Sequence, residues 1–216
     1  MMNQMNQMNQ NQQQIGAHEL MELHEVLCDT IDGINQFQLY QPHCQDPQLQ
    51  NILQNQINFM TNEYNQMVSM LNNKTGAGNL GTLHPKSNFS PTYGLRNPSP
   101  NQPNTSINQM DDRDVASGML GCSKSSATMR MHAALECADP QIRNTIIQGA
   151  KNCADQAYEI WQYMNSKGYY QVPTLKDTTA QTFSNIYQPA SGMNSMNQTN
   201  QSNYMNQMNN THLTTF

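Results

Sequence analysis

DDRDVASGMLGCSKSSATMRMHAALECADPQIRNTIIQGAKNCADQAYEIWQYMNSKGYY, residues 111–170, is the stretch whose reading decides the fold. Asp111-Asp112 opens a helix, Asp139-Pro140 turns a corner into a second one, and Lys167-Gly168 stops it. Asp is a good N-cap, Pro is tolerated at the first helical position, and Gly suits the residue after a helix end. After the corner, Ile142, Ile146, Ala150, Cys153, Ala157, Ile160, Trp161 and Met164 recur at threes and fours, the stripe of an amphipathic helix. The helix before the corner is rich in small residues, Ser117, Gly118, Gly121, Ser123, Ser125 and Ser126, which lower helix propensity and admit a neighbouring helix closely. Its expected buried face is Val115, Met119 or Leu120, Ala127, Met131 and Ala134.

An earlier pair of helices resembles this one. Leu20, Leu23, Leu27, Ile31 and Ile34 predict an amphipathic helix over residues 17–41, with acidic Glu19 and Glu22 in its first turns, where the helix dipole favours them. Asp46-Pro47 restarts the chain, and Leu49, Leu53, Ile57, Met60, Tyr64, Met67, Val68 and Leu71 form the next stripe. A shift of 93 residues, the spacing between Asp46 and Asp139, lays Cys44-x-Asp46-Pro47-Gln48-Leu49-x-Asn51 on Cys137-x-Asp139-Pro140-Gln141-Ile142-x-Asn144. The stripes of the two second helices coincide under the same shift. The first helices match less well, although Leu27 meets Leu120.

Two similar hairpins with one apolar face each bury it by packing together, so the expected fold is all-α, a four-helix bundle. Helices of about 25 residues are about 38 Å long at about 1.5 Å per residue. Residues 74–110, punctuated by Gly76, Gly78, Gly81, Pro85, Pro91, Pro98, Pro100 and Pro103, read as a linker. It is long enough to run the length of the bundle, which permits a ferritin-like order. The expected organisation is a tail at 1–15, a hairpin at 16–73, the linker at 74–110, a second hairpin at 111–174, a segment at 175–190 that packs back through Leu175, Phe183 and Ile186, and a tail at 191–216.

Composition sets the rest. The 216 residues include 29 Asn and 27 Gln, and only 12% are charged, so the tails belong to the amide-rich kind of low complexity that self-associates. Both tails repeat Met-Asn-Gln and are expected to be disordered. The net charge of −5 and the scattered basic residues supply no footprint for nucleic acid. No run reaches the roughly 18 apolar residues that argue for a membrane helix, and the N-terminus lacks the pattern of a signal peptide. Five irregularly spaced cysteines fit reduced thiols better than a disulfide framework. Cys28, Cys122 and Cys153 read as small core residues. Cys44 and Cys137, each beside an Asp-Pro corner, lie at opposite ends of such a bundle and are candidates for intermolecular cross-linking.

No catalytic set is apparent, and no cofactor is expected. A di-iron bundle needs Glu-x-x-His on two of its helices. Here Glu63 is followed by Gln66 and Glu159 by Gln162, and amides are poor iron ligands. The metal candidates are His18, Glu22, Glu63, His132 and Glu159, with His18 and Glu22, and His132 and Glu136, at i, i+4; His24 reads as a core histidine on the stripe of Leu20, Leu27 and Ile31. Tyr169 and Tyr170 are candidates for closing the bundle end or for oxidative cross-linking.

Asp112-Arg113-Asp114-Val115-Ala116, Met119-Leu120, Ser123-Lys124, Glu136-x-Ala138-Asp139-Pro140, Arg143 and Tyr163-Met164-x-x-Lys167-Gly168-Tyr169-Tyr170 together resemble the spore coat protein F family of endospore-forming bacilli. The likeness spans about 60 residues, roughly Asp111 to Pro173. Gly118 and Gly121 depart from it, standing where bulkier helix formers are expected. The resemblance implies a ferritin-like helical domain, a structural place in the spore coat, other coat proteins as partners, and no catalysis. Self-association through the tails is the expected mode of assembly. Metal handling and an adaptor role are the rival readings.

Overall fold

The computed structural model describes residues 15–73, 80–86 and 88–190. Both Met-Asn-Gln tails, and with them the expectation of disorder, lie outside the described residues. The described chain is all-helical: α1 (Ala17–Tyr40), α2 (Pro47–Asn73), α3 (Asp112–Leu135), α4 (Pro140–Lys167) and a short α5 (Asp177–Asn185). It divides into two units, Met1–Pro173 and Thr174–Phe216.

In the first unit α1 packs on α2 and α3, and α4 packs on α2 and α3. Neighbours run antiparallel. The start of α1 meets the start of α4, where Glu19 bonds the backbone of Asp139. The start of α3 meets the start of α2, where Asp112 bonds the backbone of Gln45 and Asp46 at 2.6 and 3.0 Å. Local chemistry explains these ends. Asp111 Oδ1 accepts from the N–H groups of Arg113 and Asp114, and Asp139 Oδ1 accepts from those of Gln141 and Ile142. Gly168 closes α4 at φ +77°, a left-handed conformation that glycine adopts without penalty.

The core has two apolar clusters. One gathers Phe37, Leu49, Leu53, Met119, Leu120, Ile160 and Tyr163 near the first corner. The other gathers Leu23, Val26, Met67, Met70, Ala133, Ile142 and Ile146 near the second. Cys44 belongs to the first and Cys137 packs on the second, so the two corner thiols lie apart.

The structure extends the repeat to the first helices. Under the same shift, buried Leu23, Val26, Thr30, Gly33 and Phe37 fall on buried Ala116, Met119, Ser123, Ser126 and Arg130. Glu19 falls on Asp112, and these two acids hold the opposite hairpin's corner. Side-chain identity is nearly lost here while burial is kept.

Two expectations are corrected. The α1 core face is Leu23, Val26, Thr30, Gly33 and Phe37, one step round from the predicted stripe, and Leu20, His24 and Ile31 are exposed. A small hydroxyl and a glycine sit on the inner face because α3 approaches closely there, and no hydropathy scan favours them. On α3, Val115, Met119, Leu120 and Ala134 are buried as expected, but Met131 is exposed and Ser123, Ser126 and Arg130 take the inner positions. Gly118 lies against Tyr40, where an added Cβ would come within 2.2 Å of the phenol oxygen. The expected packing segment at 175–190 falls in the second unit, where α5 spans Asp177–Asn185.

The described part of the linker, residues 80–86 and 88–110, lacks regular structure over most of its length, as its Gly and Pro content requires, but it is held against the bundle. Leu80 is buried in the second cluster. From there the chain runs along α4, whose amide side chains hold its backbone. Asn152 bonds Gly81 and Leu83, Gln162 bonds Lys86, and Asn165 bonds Thr92 twice. Phe89 meets Trp161 edge-on, and Tyr93 pairs with Val172. Asn152, Gln162 and Asn165 are buried, and their polar ends are satisfied by the strand they hold.

Candidate functional site

Between the two apolar clusters each of the four long helices contributes one polar side chain to a single buried group. Arg130 from α3 reaches Glu63 on α2 at 3.2 Å and Thr30 on α1 at 2.9 Å. Asn152 from α4 donates to the other Glu63 oxygen at 2.5 Å. Arg130 and Glu63 are each 2% exposed. Gly149 makes room: a Cβ there would stand 2.6 Å from Arg130 Nη1. Leu80 and Gly81 of the linker close the group from the outside.

Burial of this pair is costly unless both charges are met. Desolvation pushes the Glu63 carboxyl above its ordinary range, partly opposed by Arg130 and Asn152. Burial works against the charged guanidinium, but its neighbours Cys153, Glu63 and Asp29 together raise it above its ordinary range. Among the described residues Arg130 Nε has no hydrogen-bond partner, and neither do Asp29 Oδ2, Gln56 Oε1 and Gln156 Nε2 elsewhere in the interior. Buried groups of this kind are commonly met by internal water.

The group is structural in its chemistry. It has a carboxylate, but the carboxylate is occupied by a guanidinium and an amide. Where a bundle carboxylate could have held a cation, Arg130 supplies the cation.

The metal candidates are not brought together. His18 is exposed at the start of α1, 4.0 Å from Glu136. Glu22 is half-buried a turn later, and His132 is exposed at the end of α3. Glu63 lies in the central group, and Glu159 accepts from Gln56 at 2.8 Å. Among the described residues, no three His, Cys, Asp or Glu side chains gather in a way that could hold a metal ion. These donors do not fit a di-iron centre.

The corners are better placed than sequence alone suggested. Asp46 Oδ2 accepts from Lys167 Nζ at 2.6 Å and from the Tyr163 hydroxyl at 3.2 Å, so the first corner is tied to the end of α4. The bond from Lys167 holds the Asp46 carboxyl below its usual range. Pro47 and Pro140 occupy the first positions of α2 and α4. Tyr169 packs edge-on against Tyr163, with ring centres 6.2 Å apart, and so helps close this end. Tyr170 is 40% exposed, beside Trp161 and under Lys124.

The cysteine assignments shift. Cys44 is buried, and its thiol is pushed up to about 12 by burial and by Asp112. Cys137 is half-buried, with its thiol at about 11 from burial and the acids around it. Neither is a ready nucleophile. Cys28, expected in the core, is exposed.

Sequence reasoning missed Arg130 and Asn152. An arginine with a glycine at a facing helix position and an acid on a third helix is a signal only once the helix neighbours are known.

No helix among the described residues is long and apolar enough to cross a membrane. Residues 111–173 match the Coat F domain, which begins at the α3 cap and ends where the linker pairs with Val172. The spore coat protein F-like protein YhcQ of Bacillus subtilis (strain 168) is 33% identical over 180 residues, covering 82% of this chain and 82% of that protein. No solved structure matches. With a relative at this identity over 82% of both chains, and the domain match on the second hairpin, the chain belongs to the coat F family.

Proposed function

We propose that this chain is a structural component of the bacterial endospore coat, acting by assembly with itself and with other coat proteins. The observation that carries the reading is the 82% coverage of a spore coat protein F-like relative. The central group agrees with it: polar side chains that could serve chemistry are spent joining four helices. A non-enzymatic role follows from the same arrangement. We take the first unit as a ferritin-like bundle. The basis is that α1 and α3 are antiparallel neighbours and that the linker leads from one end to the other. On this reading the chain is made in the mother-cell cytosol and deposited on the spore without membrane insertion or nucleic-acid binding.

The amide-rich tails at 1–15 and 191–216 supply the weak, multivalent contacts of assembly, raising effective concentration without charge. Tyr170 is the tyrosine best exposed for oxidative cross-linking in the coat. Deleting both tails and following the tagged chain in sporulating cells tests the reading. Loss of the spore-associated fraction, with the bundle still folded, is the expected result. A tail-less chain that reaches and resists extraction from the coat like its parent overturns the tail mechanism. A chain absent from the spore altogether overturns the structural role. Stoichiometric iron in protein purified from such cells would favour metal handling instead.

A further inference from the structure

The bundle leaves charge of opposite sign unmatched at two separate places. On the outward face of α1, Glu25 and Asp32 are exposed, two turns apart, and neither makes an ion pair among the described residues. Toward the other end, where α4 stops beside the first corner, Arg96 and Arg113 meet no carboxylate among the described residues. Arg96 bonds the carbonyl of Asn165, and Arg113 bonds the amide of Asn101. The acids of that end are committed elsewhere: Asp46 to Lys167, Asp112 to the backbone of Gln45 and Asp46, and Asp111 and Asp114 to the α3 cap.

Each pair of charges stands beside an apolar feature. Glu25 lines a cleft of about 360 Å³ between α1 and α2, whose other walls are Leu20, Met21, His24, Leu27 and Leu71. Leu20 and Met21 are 48% and 68% exposed. At the other place Leu95, 62% exposed, shares an open basin with Arg96, Arg113, Lys167 and Tyr169. Its loop is pinned on both sides. Gly94 donates its N–H to Val172 O at 2.8 Å, and Arg96 donates its N–H to Gln171 Oε1 at 2.5 Å. Asn97 then turns the chain at φ +43°, a left-handed conformation that asparagine tolerates. A leucine is thus presented next to two guanidiniums on a fixed loop, while α1 and α2 offer an apolar hole next to two carboxylates.

We propose that copies of this chain join head to tail, Leu95 of one seated in the α1–α2 cleft of the next, with Arg96 and Arg113 against Glu25 and Asp32. Both halves of the complementary pair are on one molecule and each is unsatisfied within it, which selects a second copy as the occupant. The cleft flanks the start of α1, and the loop flanks the end of α4, which starts at the same end as α1. A helix of 28 residues is roughly 40 Å long at about 1.5 Å per residue, so one copy cannot fill its own cleft. The contact is therefore heterologous, and successive copies extend a filament or close a ring. A contact centred on one leucine and four charged groups falls short of the roughly 1,200–2,000 Å² of a stable interface, so each joint is weak and draws on the tails for effective concentration. The role of the joint in the coat rests on the assembly reading, whereas the contact itself does not.

Sedimentation velocity of the reduced, full-length chain over a concentration series tests the joint. The parent is expected to gain mass with concentration. Leu95→Asp, which spoils the loop, and Leu20→Asp, which spoils the cleft, should each weaken that association at least about tenfold. Mixed together, the two variants should recover the parent's strength of association in one-to-one pairs, because each supplies the surface the other lacks. Both substitutions are at exposed positions, and pairing in the mixture reports that both chains are folded. Reversing Arg96 and Arg113 to Glu, or Glu25 and Asp32 to Arg, should weaken association by a similar factor, and all four reversals in one chain should restore it. A parent that associates no better than Leu95→Asp, or variants that associate no better mixed than alone, overturns the proposal. Leu95→Asp without effect where deletion of residues 1–14 abolishes association gives the cleft to the chain's own tail and overturns it as well. Failure here leaves the assembly reading standing, since that reading is tested by spore localisation; a chain that joins head to tail in solution and never reaches the spore separates the two the other way.

Discussion

Under the 93-residue shift Phe37 of the first hairpin falls on Arg130 of the second, Gln56 falls on Gly149, and Glu63 falls on Gln156. All six positions are buried. The inner positions were thus kept in both hairpins, but their chemistry diverged. The first hairpin holds an aromatic ring, an amide and a carboxylate there, and the second holds a guanidinium, a glycine and an amide, so the guanidinium of one is neutralised by the carboxylate of the other. The difference teaches that burial is what the matched positions share, and that the ion pair depends on linked residues: Arg130 needs Glu63 for its charge and Gly149 for its volume.

The largest expected effect comes from breaking the charged set. Arg130→Ala strands Glu63 without its cation and leaves a cavity, and it should cost about 3–5 kcal/mol in urea unfolding. Arg130→Met with Glu63→Gln removes both charges together and should recover most of that loss. If the double variant is no more stable than Arg130→Ala, the pair's charges are not what the site depends on.

Next come the two acids that the repeat made equivalent. Glu19 and Asp112 each accept backbone N–H groups at the other hairpin's corner. Replacing either with Ala should lower stability by about 1.5–3 kcal/mol, the range for hydrogen bonds to charged groups, with the half-exposed Asp112 at the low end. They sit at opposite ends of the bundle, so the double variant should show the two losses added together. A clear departure from additivity in the denaturant midpoints would mean the ends communicate through the core.

Smaller still is Gly149→Ala, which places a methyl against a pinned guanidinium and should cost about 1–3 kcal/mol. Gly121→Ala on α3 is its control. Nothing lies within 4 Å of that position, so improved helix propensity should stabilise the protein by up to about 1 kcal/mol. Thermal melts of the two variants should move in opposite directions.

The mildest effect is in pH. Lys167 holds Asp46 below its ordinary value of 3.8, so this carboxylate stabilises the fold above that value. Its contribution disappears as pH falls through the lower, folded-state value. Asp46→Asn keeps a competent cap and loses the charge. The stability gap between parent and variant should be steady near neutrality and close in acid below 3.8. A gap that widens in acid would reverse the assigned sign.

The helices and corners were legible because their signals are local. Asp46-Pro47, Asp139-Pro140 and Gly168 act within a turn of where they stand, and α2 and α4 carry ordinary apolar stripes. Which face of α1 and α3 turns inward was not legible. Leu20 and Ile31 are as apolar as Leu23, and Thr30, Gly33, Ser123 and Ser126 were chosen for closeness rather than hydropathy. The buried amides were misleading in the same way. Asn and Gln were read as the composition of tails and solvent, yet Asn152, Gln162 and Asn165 are buried because a polar linker lies on them. The cysteines divide on the same ground: Cys28 lies on the outer face of α1, while Cys44, at the corner between α1 and α2, is covered by the first apolar cluster.

By itself the sequence determined four helices, two corners, a duplication and a family likeness, all of which depend on residues near one another in the chain or on a repeated pattern. Only the tertiary structure decided that Arg130 meets Glu63 and that the linker is held by α4. These contacts join residues far apart in sequence, and each is favourable only because helix packing excludes water from some of the side chains and leaves others to it.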